Sequence, residues 1–477
     1  MSLLDALEPI YTRLPEVKAP EVQPPLRKKL MWSAIALLLF FIMGNISIIG
    51  VSDTSNRLGQ LQIILASNIG TLITVGIGPI VLASIILQLL VGGKIIKIDL
   101  SNPKDKARFT GMQKLFAIVL CFFEAAVYAM SGMLAPSPGM LAPVIMQVAL
   151  GSIILLYLDE VVSKYGIGSG IGLFIAGGVC QEILWRAVAI PLTTPKGPVE
   201  GVIFVAGRAI GEGQLAAGLI ALIPILFTLV IFLIVTFAEG MHINIPITMG
   251  RKGTGGRFPV KLLYVSNIPV ILAVALFANI RLWAELTSKM TFPVIPEIMK
   301  ALASFTTIPH GLFLELFYRG IGPEVFGQMA NYFIKLEFIA QWNNITALSM
   351  GAQIIHAIIY LIILVIVCVV FGRFWIEMGG QGPEAISEQL DKSGMYIPGF
   401  RRDPRIIRGI LDRYIPTITI LGSAFVGLLA GFADLGNALG SGTGILLTVG
   451  IVYRLYEELA KQQLLESNPL MKKLFGG

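Results

Sequence analysis

Ionisable side chains are scarce in this chain and almost absent from its apolar stretches. Asp, Glu, Lys and Arg make up 14% of its 477 residues, where a soluble domain carries roughly a quarter. That shortage excludes an ordinary soluble fold and removes the means of most active transport. Pumps and ion-coupled transporters keep Asp, Glu, Lys or Arg at mid-membrane, because a charge there is retained only for function. Cysteine is also rare. Cys121, Cys180 and Cys368 form no CxxC pair and no metal-ligand spacing, which speaks against a disulfide framework or a zinc site. His242, His310 and His356 are dispersed, and there is no HExxH, GxSxG or paired-aspartate motif, so the common hydrolase chemistries have no carrier. Residues 1–29 are polar, charged and Pro-rich, unlike a cleavable signal peptide.

What the chain has is apolar length. Hydrophobic residues make up 55% and the mean hydropathy is +0.80. Ten stretches approach the ~20 residues that a ~30 Å hydrocarbon core requires: 30–49, 71–91, 115–134, 141–158, 169–186, 216–238, 262–280, 351–372, 414–433 and 441–455. Inside them the clear titratable exceptions are Glu124, Glu182 and His356, with Arg186 and Arg454 at or near the ends. A chain that crosses the membrane many times without a proton relay favours a passive conduit. The 51 glycines suit helices whose backbones approach closely in lipid.

The distribution of positive charge predicts the orientation. With a cytoplasmic N-terminus and ten alternating spans, the inner segments and the tail from Arg454 hold 27 of the 36 Lys and Arg. By the positive-inside rule both termini are cytoplasmic, in a multi-pass protein of the cell membrane. Ten spans divide as five plus five about the segment Ala187–Gln214. An odd number per half turns the second half upside down relative to the first, the arrangement of inverted repeats with a functional site between them.

The N-terminal segment Ser2–Leu30 reads as an amphipathic surface helix interrupted by Pro15, Pro20, Pro24 and Pro25. After the first span, Gly50–Gly70 is too short and polar to cross, yet Leu58, Leu61, Ile64 and Leu65 fall on one helical face. A half-helix tucked in from outside and an amphipathic helix on the outer surface both satisfy that pattern. Two Gly-rich runs, Gly70–Leu90 and Lys164–Gly178, lack the preceding strand and the lysine of a phosphate-binding loop, so they read as helix entry and close packing. Within them Ile77 and Val81, and Ile171 and Ile175, are spaced i,i+4 and project from one face; ordinary core or lipid-facing aliphatics have the same spacing. Glu124, with Asn267 and Asn279, could bond between helices, and plain structural hydrogen bonding of about 1 kcal/mol or less accounts for each alone. The basic loops are the second constellation: Arg251, Lys252, Arg257 and Lys261 in Gly250–Lys261, and Arg401, Arg402, Arg405, Arg408 and Arg413 beyond. They suit anionic lipid, or a large anionic partner such as ribosomal RNA held through its phosphates.

The runs TLITVGIGPIV, LDEVVSKYGIGSGIGLFIAGG, VSNIPVIL with LFANI, and SGTGILLTVGIVYRLYE together resemble the SecY family, pore subunits of the protein-conducting Sec channel, in its archaeal and eukaryotic branch. The likeness is colinear from about Leu3 to the tail and weakest in Ala187–Gln214 and Arg281–Met350. It implies an all-α polytopic protein of ten transmembrane helices in two pseudo-symmetric inverted five-helix halves, with a short plug half-helix after the first span. The parts it implies are a cytoplasmic N-terminal segment (1–29), an N-terminal half (30–190) with the plug within 54–67, an external hinge segment (191–215), a C-terminal half (216–455) and a cytoplasmic tail (456–477). The C-terminal half would carry cytoplasmic loops 239–261 and 373–413 and an external loop 281–350. The resemblance implies a pore ring of Ile77, Val81, Ile171, Ile175, Ile271 and Leu447, and a plug containing Leu58, Leu61, Ile64 and Leu65. A lateral gate would carry Gln88, Glu124, Asn267 and Asn279. Arg251, Lys252, Arg257, Lys261, Arg401 and Arg402 would receive a ribosome or motor. The function implied is passage of unfolded secretory polypeptides across the membrane and lateral release of hydrophobic segments into lipid. Its implied partners are a SecE-like gamma subunit, a small beta subunit, the ribosome, signal sequences, nascent chains and membrane lipid. No cofactor and no enzymatic activity are implied. The competing class, a secondary transporter with inverted repeats, needs broken helices that present ion ligands, and Gly78–Pro79 is the one hint of a break. The external loop, rich in aromatics, either packs on the outer face or covers the funnel.

Overall fold

Each of the ten apolar stretches overlaps a helix, because a backbone in lipid must satisfy its own hydrogen bonds. The computed structural model describes residues 9, 11–22, 24–54, 67–92, 96, 98, 103–130, 134–194, 197–249, 254–263, 268–287, 295–309, 312–319, 325, 328–329, 332, 345, 348–378, 381–392, 395–396 and 404–467. Among them, seven helices are long and apolar enough to cross a membrane, and Gly78–Gln88 is a shorter apolar one. The chain divides into two compact units. One comprises Met1–Leu90, Lys94–Phe204 and Leu447–Gly477, the other Val91–Gly93 and Val205–Leu446.

The first unit contains α1 (Leu26–Met43), α2 (Gly78–Gly92), α3 (Pro103–Met130), α4 (Leu141–Tyr165) and α5 (Gly170–Val188), with the short strands β1 (Val51–Thr54), β2 (Leu134–Pro136), β3 (Leu192–Thr194) and β4 (Gly197–Val199). α3 packs on α4, and α1 packs on α4 and α5, with Phe40 and Phe174 stacked at 5.2 Å. β1 pairs antiparallel with β2 just before the expected plug. The plug residues Leu58, Leu61, Ile64 and Leu65 lie outside the described residues. The N-terminal segment is irregular where its prolines were expected to interrupt the helix. Residues 15–20 are irregular backbone, because Pro15 and Pro20 remove amide donors and push their predecessors out of the helical region.

The second unit contains α7 (Leu215–Ala221), α8 (Ile223–Gly240), α9 (Ile268–Thr287), α10 (Ile295–Phe305), α11 (Leu312–Arg319), α12 (Met350–Met378), α13 (Pro383–Lys392) and α14 (Pro404–Leu435). α6 (Val202–Gly211) and α15 (Gly442–Ser467) run across the division. α12 and α14 share the most extensive helix contact. Their backbones approach where Gly427 meets Cys368 Sγ, a Cβ there standing 3.0 Å away, as small residues permit in lipid. β5 (His242–Met249) pairs with β6 (Thr254–Lys261) on one side and β7 (Met395–Tyr396) on the other, so the two basic loops share one sheet.

The described part of the long segment 281–350 packs on its own unit. α10 lies against α9 and α12, with Ala284 and Ala303 fully buried between them. The His356 ring of α12 is wholly buried. Its Nε2 faces the carbonyls of Ser304 and Thr307, both at 3.0 Å, and its Nδ1 lies 2.7 Å from the Tyr332 hydroxyl. Two carbonyls require Nε2 to carry the proton, so Nδ1 accepts from tyrosine and the neutral ring is satisfied. His356 therefore anchors the segment.

Hydropathy ends the seventh and ninth stretches at 280 and 433, but the helices continue to Thr287 and Leu435. That extension brings two further charges, Arg281 and Asp434, into the packed helices. The apolar stretches are thus less free of charge than their sequence limits imply.

Candidate functional site

Ile77 stands at the entrance to α2, where the chain leaves irregular backbone for helix. Residues 67–77 are held by donors and acceptors from the end of α1. Asn68 Nδ2 donates to Gly44 O at 2.8 Å, Leu72 N to Ile46 O at 3.0 Å, and Ile48 N to Gly70 O at 2.9 Å. Gly76 takes φ +63°, a left-handed turn that side-chain-bearing residues resist. Irregular backbone at such a place survives only where protein satisfies it. Ile77 is 1% exposed, and its carbonyl accepts from Val81 N at 3.1 Å, so Ile77 and Val81 share the first helical turn. Val81 is half-buried.

Ile171 and Ile175 occupy the first turns of α5, half-buried and buried respectively. The helix is capped from its neighbour. Asp159 of α4 accepts from Ile171 N at 2.9 Å and from Ser169 Oγ at 3.4 Å, placing a carboxylate at the positive end of the helix dipole. The aspartate of the LDEVV run thus orients the isoleucine pair. Leu447, 1% exposed, lies on α15, whose later residues Ile451 and Leu455 approach Gly172 and Gly168 at the start of α5. In the second unit Ile271 lies half-buried in the first turns of α9.

The polar residues of the expected gate lie on separate helices. Gln88 is half-buried on α2 and Glu124 is buried on α3 at 6% exposure. Asn279 Nδ2 donates to Ala275 O of its own helix at 2.8 Å, and Asn267 lies outside the described residues. Sequence reasoning missed the link between α2 and α3: Gln113 Nε2 donates to Ser84 Oγ at 2.5 Å. Of the basic residues, Arg257 lies in β6 opposite Pro246, and Lys261 ends the strand opposite His242. Arg251, Lys252, Arg401 and Arg402 lie outside the described residues. Arg408 of α14 instead pairs with Glu384 of α13 at 2.7 Å.

Two further features of the first unit had no sequence signal beyond composition. The N-terminal segment is clasped by α3 and α4. Lys114 Nζ pairs with Glu160 at 2.5 Å and donates to Pro15 O at 2.6 Å. Lys164 pairs with Glu16 at 2.7 Å and also donates to Val17 O, while the Tyr165 hydroxyl donates to Lys18 O at 2.8 Å. The Lys164 ammonium holds the Glu16 carboxyl below its ordinary value of 4.5, by hydrogen bond first and then by charge. On α1, α5 and α15 an apolar groove of about 800 Å³ is lined by Leu37, Phe41, Leu173, Trp185 and Val452, with Cys180 on its wall.

Comparison with known proteins accounts for nearly all of the chain. A family model described as SecY matches residues 71–456, and one described as the plug domain of Sec61p matches residues 38–70. The protein translocase subunit SecY of Methanothermobacter thermautotrophicus is 43% identical over 492 residues, covering 99% of both chains. That of Methanocaldococcus jannaschii is 42% identical over 480 residues, covering 98% of this chain and 99% of its own. A solved structure described as "The structure of a protein conducting channel" superposes with TM-score 0.77 at 41% identity, covering 96% of this chain and 98% of that one. "Sec61 in the Canine ribosome-channel complex from the endoplasmic reticulum" superposes with TM-score 0.75 at 41% identity, with the same coverage.

Proposed function

Since the chain belongs to the SecY family and is the non-enzymatic pore subunit of a protein-conducting membrane channel, we propose that Ile77, Val81, Ile171, Ile175, Ile271 and Leu447 form the ring through which secretory polypeptides pass. The observation that carries the function is the colinear likeness to translocase subunits over 99% of the chain. Side-chain chemistry supports the ring. Aliphatic groups offer a passing chain no hydrogen bonds, so extended segments of any sequence slide without sticking. The same surface dewets when narrow and so limits ion leakage. The satisfied irregular backbone before Ile77 supports a fixed position for that side chain.

The segment after the first span is the plug, with Leu58, Leu61, Ile64 and Leu65 as its apolar face. Gln88, Glu124, Asn267 and Asn279 tune the gate through which hydrophobic segments leave for lipid, selected by their preference for lipid over the aqueous pore. Both termini are cytoplasmic, which the excess of Lys and Arg in the inner segments supports. Arg251, Lys252, Arg257, Lys261, Arg401 and Arg402 dock the ribosome; the joining of both basic loops through β5, β6 and β7 supports their acting together. The groove on α1, α5 and α15 suits an apolar helix, and it receives that of a SecE-like subunit. A small third subunit sits peripherally.

Site-specific crosslinking tests the ring. Ile77→Cys and Ile271→Cys, in a background lacking the three native cysteines, are challenged with a stalled secretory chain carrying one cysteine. Crosslinks at both positions and none at Leu37→Cys are expected. An intact, translocating complex that crosslinks at neither position would require a different polypeptide path.

A further inference from the structure

Two stems flank the expected plug, one leaving α1 and one returning to α2, and both are built on α4. The outgoing stem meets the returning one along one edge. Leu72 N donates to Ile46 O at 3.0 Å and Ile48 N to Gly70 O at 2.9 Å, an antiparallel bridge centred on Ser47 and Thr71. Ile46 and Ile48 direct their polar groups to that edge, so those of Ile49 face the other way.

Among the described residues no strand receives them. The Gln147 side chain of α4 does: its Oε1 accepts from Ile49 N and its Nε2 donates to Ile49 O, both at 3.0 Å. Two bonds exchanged with one residue are what a hydrogen-bonded pair makes in an antiparallel ladder. The amide fits in one orientation only, because its carbonyl must face the N–H and its NH2 the C=O. Nε2 also donates to Pro143 O, one turn back on α4, at 3.2 Å, which steadies the side chain. Beyond Ile49 the main chain takes over. Ser137 N donates to Gly50 O at 2.8 Å, and β1 pairs with β2 from Val51, opposite Pro136. Gly50 turns the chain at φ +93°, and a Cβ there would run into Met140.

α4 receives the returning stem one turn further on. Gln147, Gly151, Leu155 and Asp159 form a single i,i+4 row of the helix. Gly151 has no side chain where the Leu72 carbonyl enters, and Asp159 accepts from Ile171 N at the start of α5. One helix row thus meets the outgoing stem, the returning stem that leads to Ile77, and the helix that carries Ile171 and Ile175.

We propose that Gln147 is a positioning residue for the channel: its amide takes the place of a missing strand and fixes the outgoing stem to α4, so that the stem stays seated on that helix while a polypeptide passes. The inference rests on the reading of the segment between the stems as the plug, and it adds where that segment is tethered. Loss of the bonds to Ile49 frees the outgoing stem from α4, and a displaced stem misplaces the plug against the ring.

The test uses the assembled complex in membranes, with all readouts taken per assembled channel. Gln147→Leu removes both bonds. Gln147→Glu keeps an acceptor for Ile49 N and sets a carboxylate oxygen against Ile49 O. Each is expected to raise resting ion conductance severalfold. The pair Ile49→Cys/Gln147→Cys, in the cysteine-free background, should leak likewise until a short bis-maleimide bridges the two thiols. Bridging should return conductance to the wild-type value while export of a secretory chain continues, a rescue that a general loss of structure would not allow. Gln147→Leu and Gln147→Glu channels as tight as wild type overturn the proposal. So does a bridge that fails to restore tightness, and so does one that seals the channel but stops export, since the stem must then leave α4. If Gln147→Leu fails to assemble, Gln147→Glu decides; failure of both marks a folding role and overturns the positioning one. Deletion of Leu58–Leu65 from the otherwise native chain reports separately on the plug. A leak in that deletion with tight Gln147 variants defeats this inference alone, and a deletion as tight as wild type defeats the plug reading.

Discussion

Ile77 is a buried aliphatic residue next to a left-handed glycine and a helix-opening Gly-Pro pair. On the proposed ring, a polar side chain there would give water a foothold in a surface that otherwise dewets. Ile77→Asn should raise the conductance of resting, reconstituted channels while the assembled amount stays near wild type; unchanged conductance would remove Ile77 from the seal. Glu16 offers a residue-scale test of the N-terminal clasp. Its folded value lies below the ordinary 4.5 because Lys164 stabilises the carboxylate. Its contribution is therefore complete above the ordinary value and lost as pH falls through the lowered folded one. Both partners are partly exposed, so the effect is small and weakens with salt. A spin label at Lys18→Cys, in the cysteine-free background, should gain mobility as pH falls below the ordinary carboxylate value, and Lys164→Ala should release it at neutral pH. A label equally immobile under all three conditions would show that the clasp does not depend on this pair.

At the scale of elements, close helix contact decides which glycines are indispensable. A Cβ on Gly151 of α4 would run into the Leu72 carbonyl, in the irregular segment that leads to Ile77. Backbone cannot rotate aside as a side chain can, so Gly151→Ala should cost about 1–3 kcal/mol. Gly207 of α6 has nothing within 4 Å of such a carbon, and Gly207→Ala should be neutral or stabilise by up to ~1 kcal/mol through helix propensity. Thermal unfolding of the two variants in detergent checks the contrast; equal midpoints would contradict the packing at Gly151. From sequence neither glycine shows what a Cβ there would meet, since that depends on residues far away in the chain. The helix ends were equally illegible: hydropathy stops at Arg281 and Asp434 because it counts them as polar, whereas α9 runs on through a half-buried Arg281 and α14 through a buried Asp434 that accepts from Gly442 N.

At the scale of the whole molecule, the proposed orientation and the proposed docking both draw on the same excess of positive charge. If the basic loops hold ribosomal RNA through phosphate contacts, affinity falls linearly with salt on logarithmic axes, by a slope of roughly 0.7–0.9 per contact. Arg251→Ala with Lys252→Ala should therefore weaken ribosome binding and flatten that slope, while export of a chain driven post-translationally is spared. A weakened affinity with an unaltered salt slope would point to shape rather than charge. The joining of the two loops through β5 and β7 predicts that Arg401→Ala acts less than additively with the first pair, since sites in one network couple.

The amino-acid sequence by itself determined the class of the protein. Apolar runs of membrane-crossing length, the shortage of charge within them and the skew of Lys and Arg follow from how a bilayer treats polar groups, and they are visible residue by residue. It also determined the family, because the motifs around Ile77, Ile171, Ile271 and Leu447 lie in colinear order. Only the tertiary structure decided what fills the spaces between these motifs. The clasp of Lys114 and Lys164 on the N-terminal segment, the docking of residues 304–307 and 332 on His356, and the bond from Leu439 N to Thr228 all join residues far apart in the chain, and Asp159 caps α5 from the neighbouring helix. Local periodicity carries no record of such pairs. They exist because a buried polar group must find a partner wherever the fold brings one within reach.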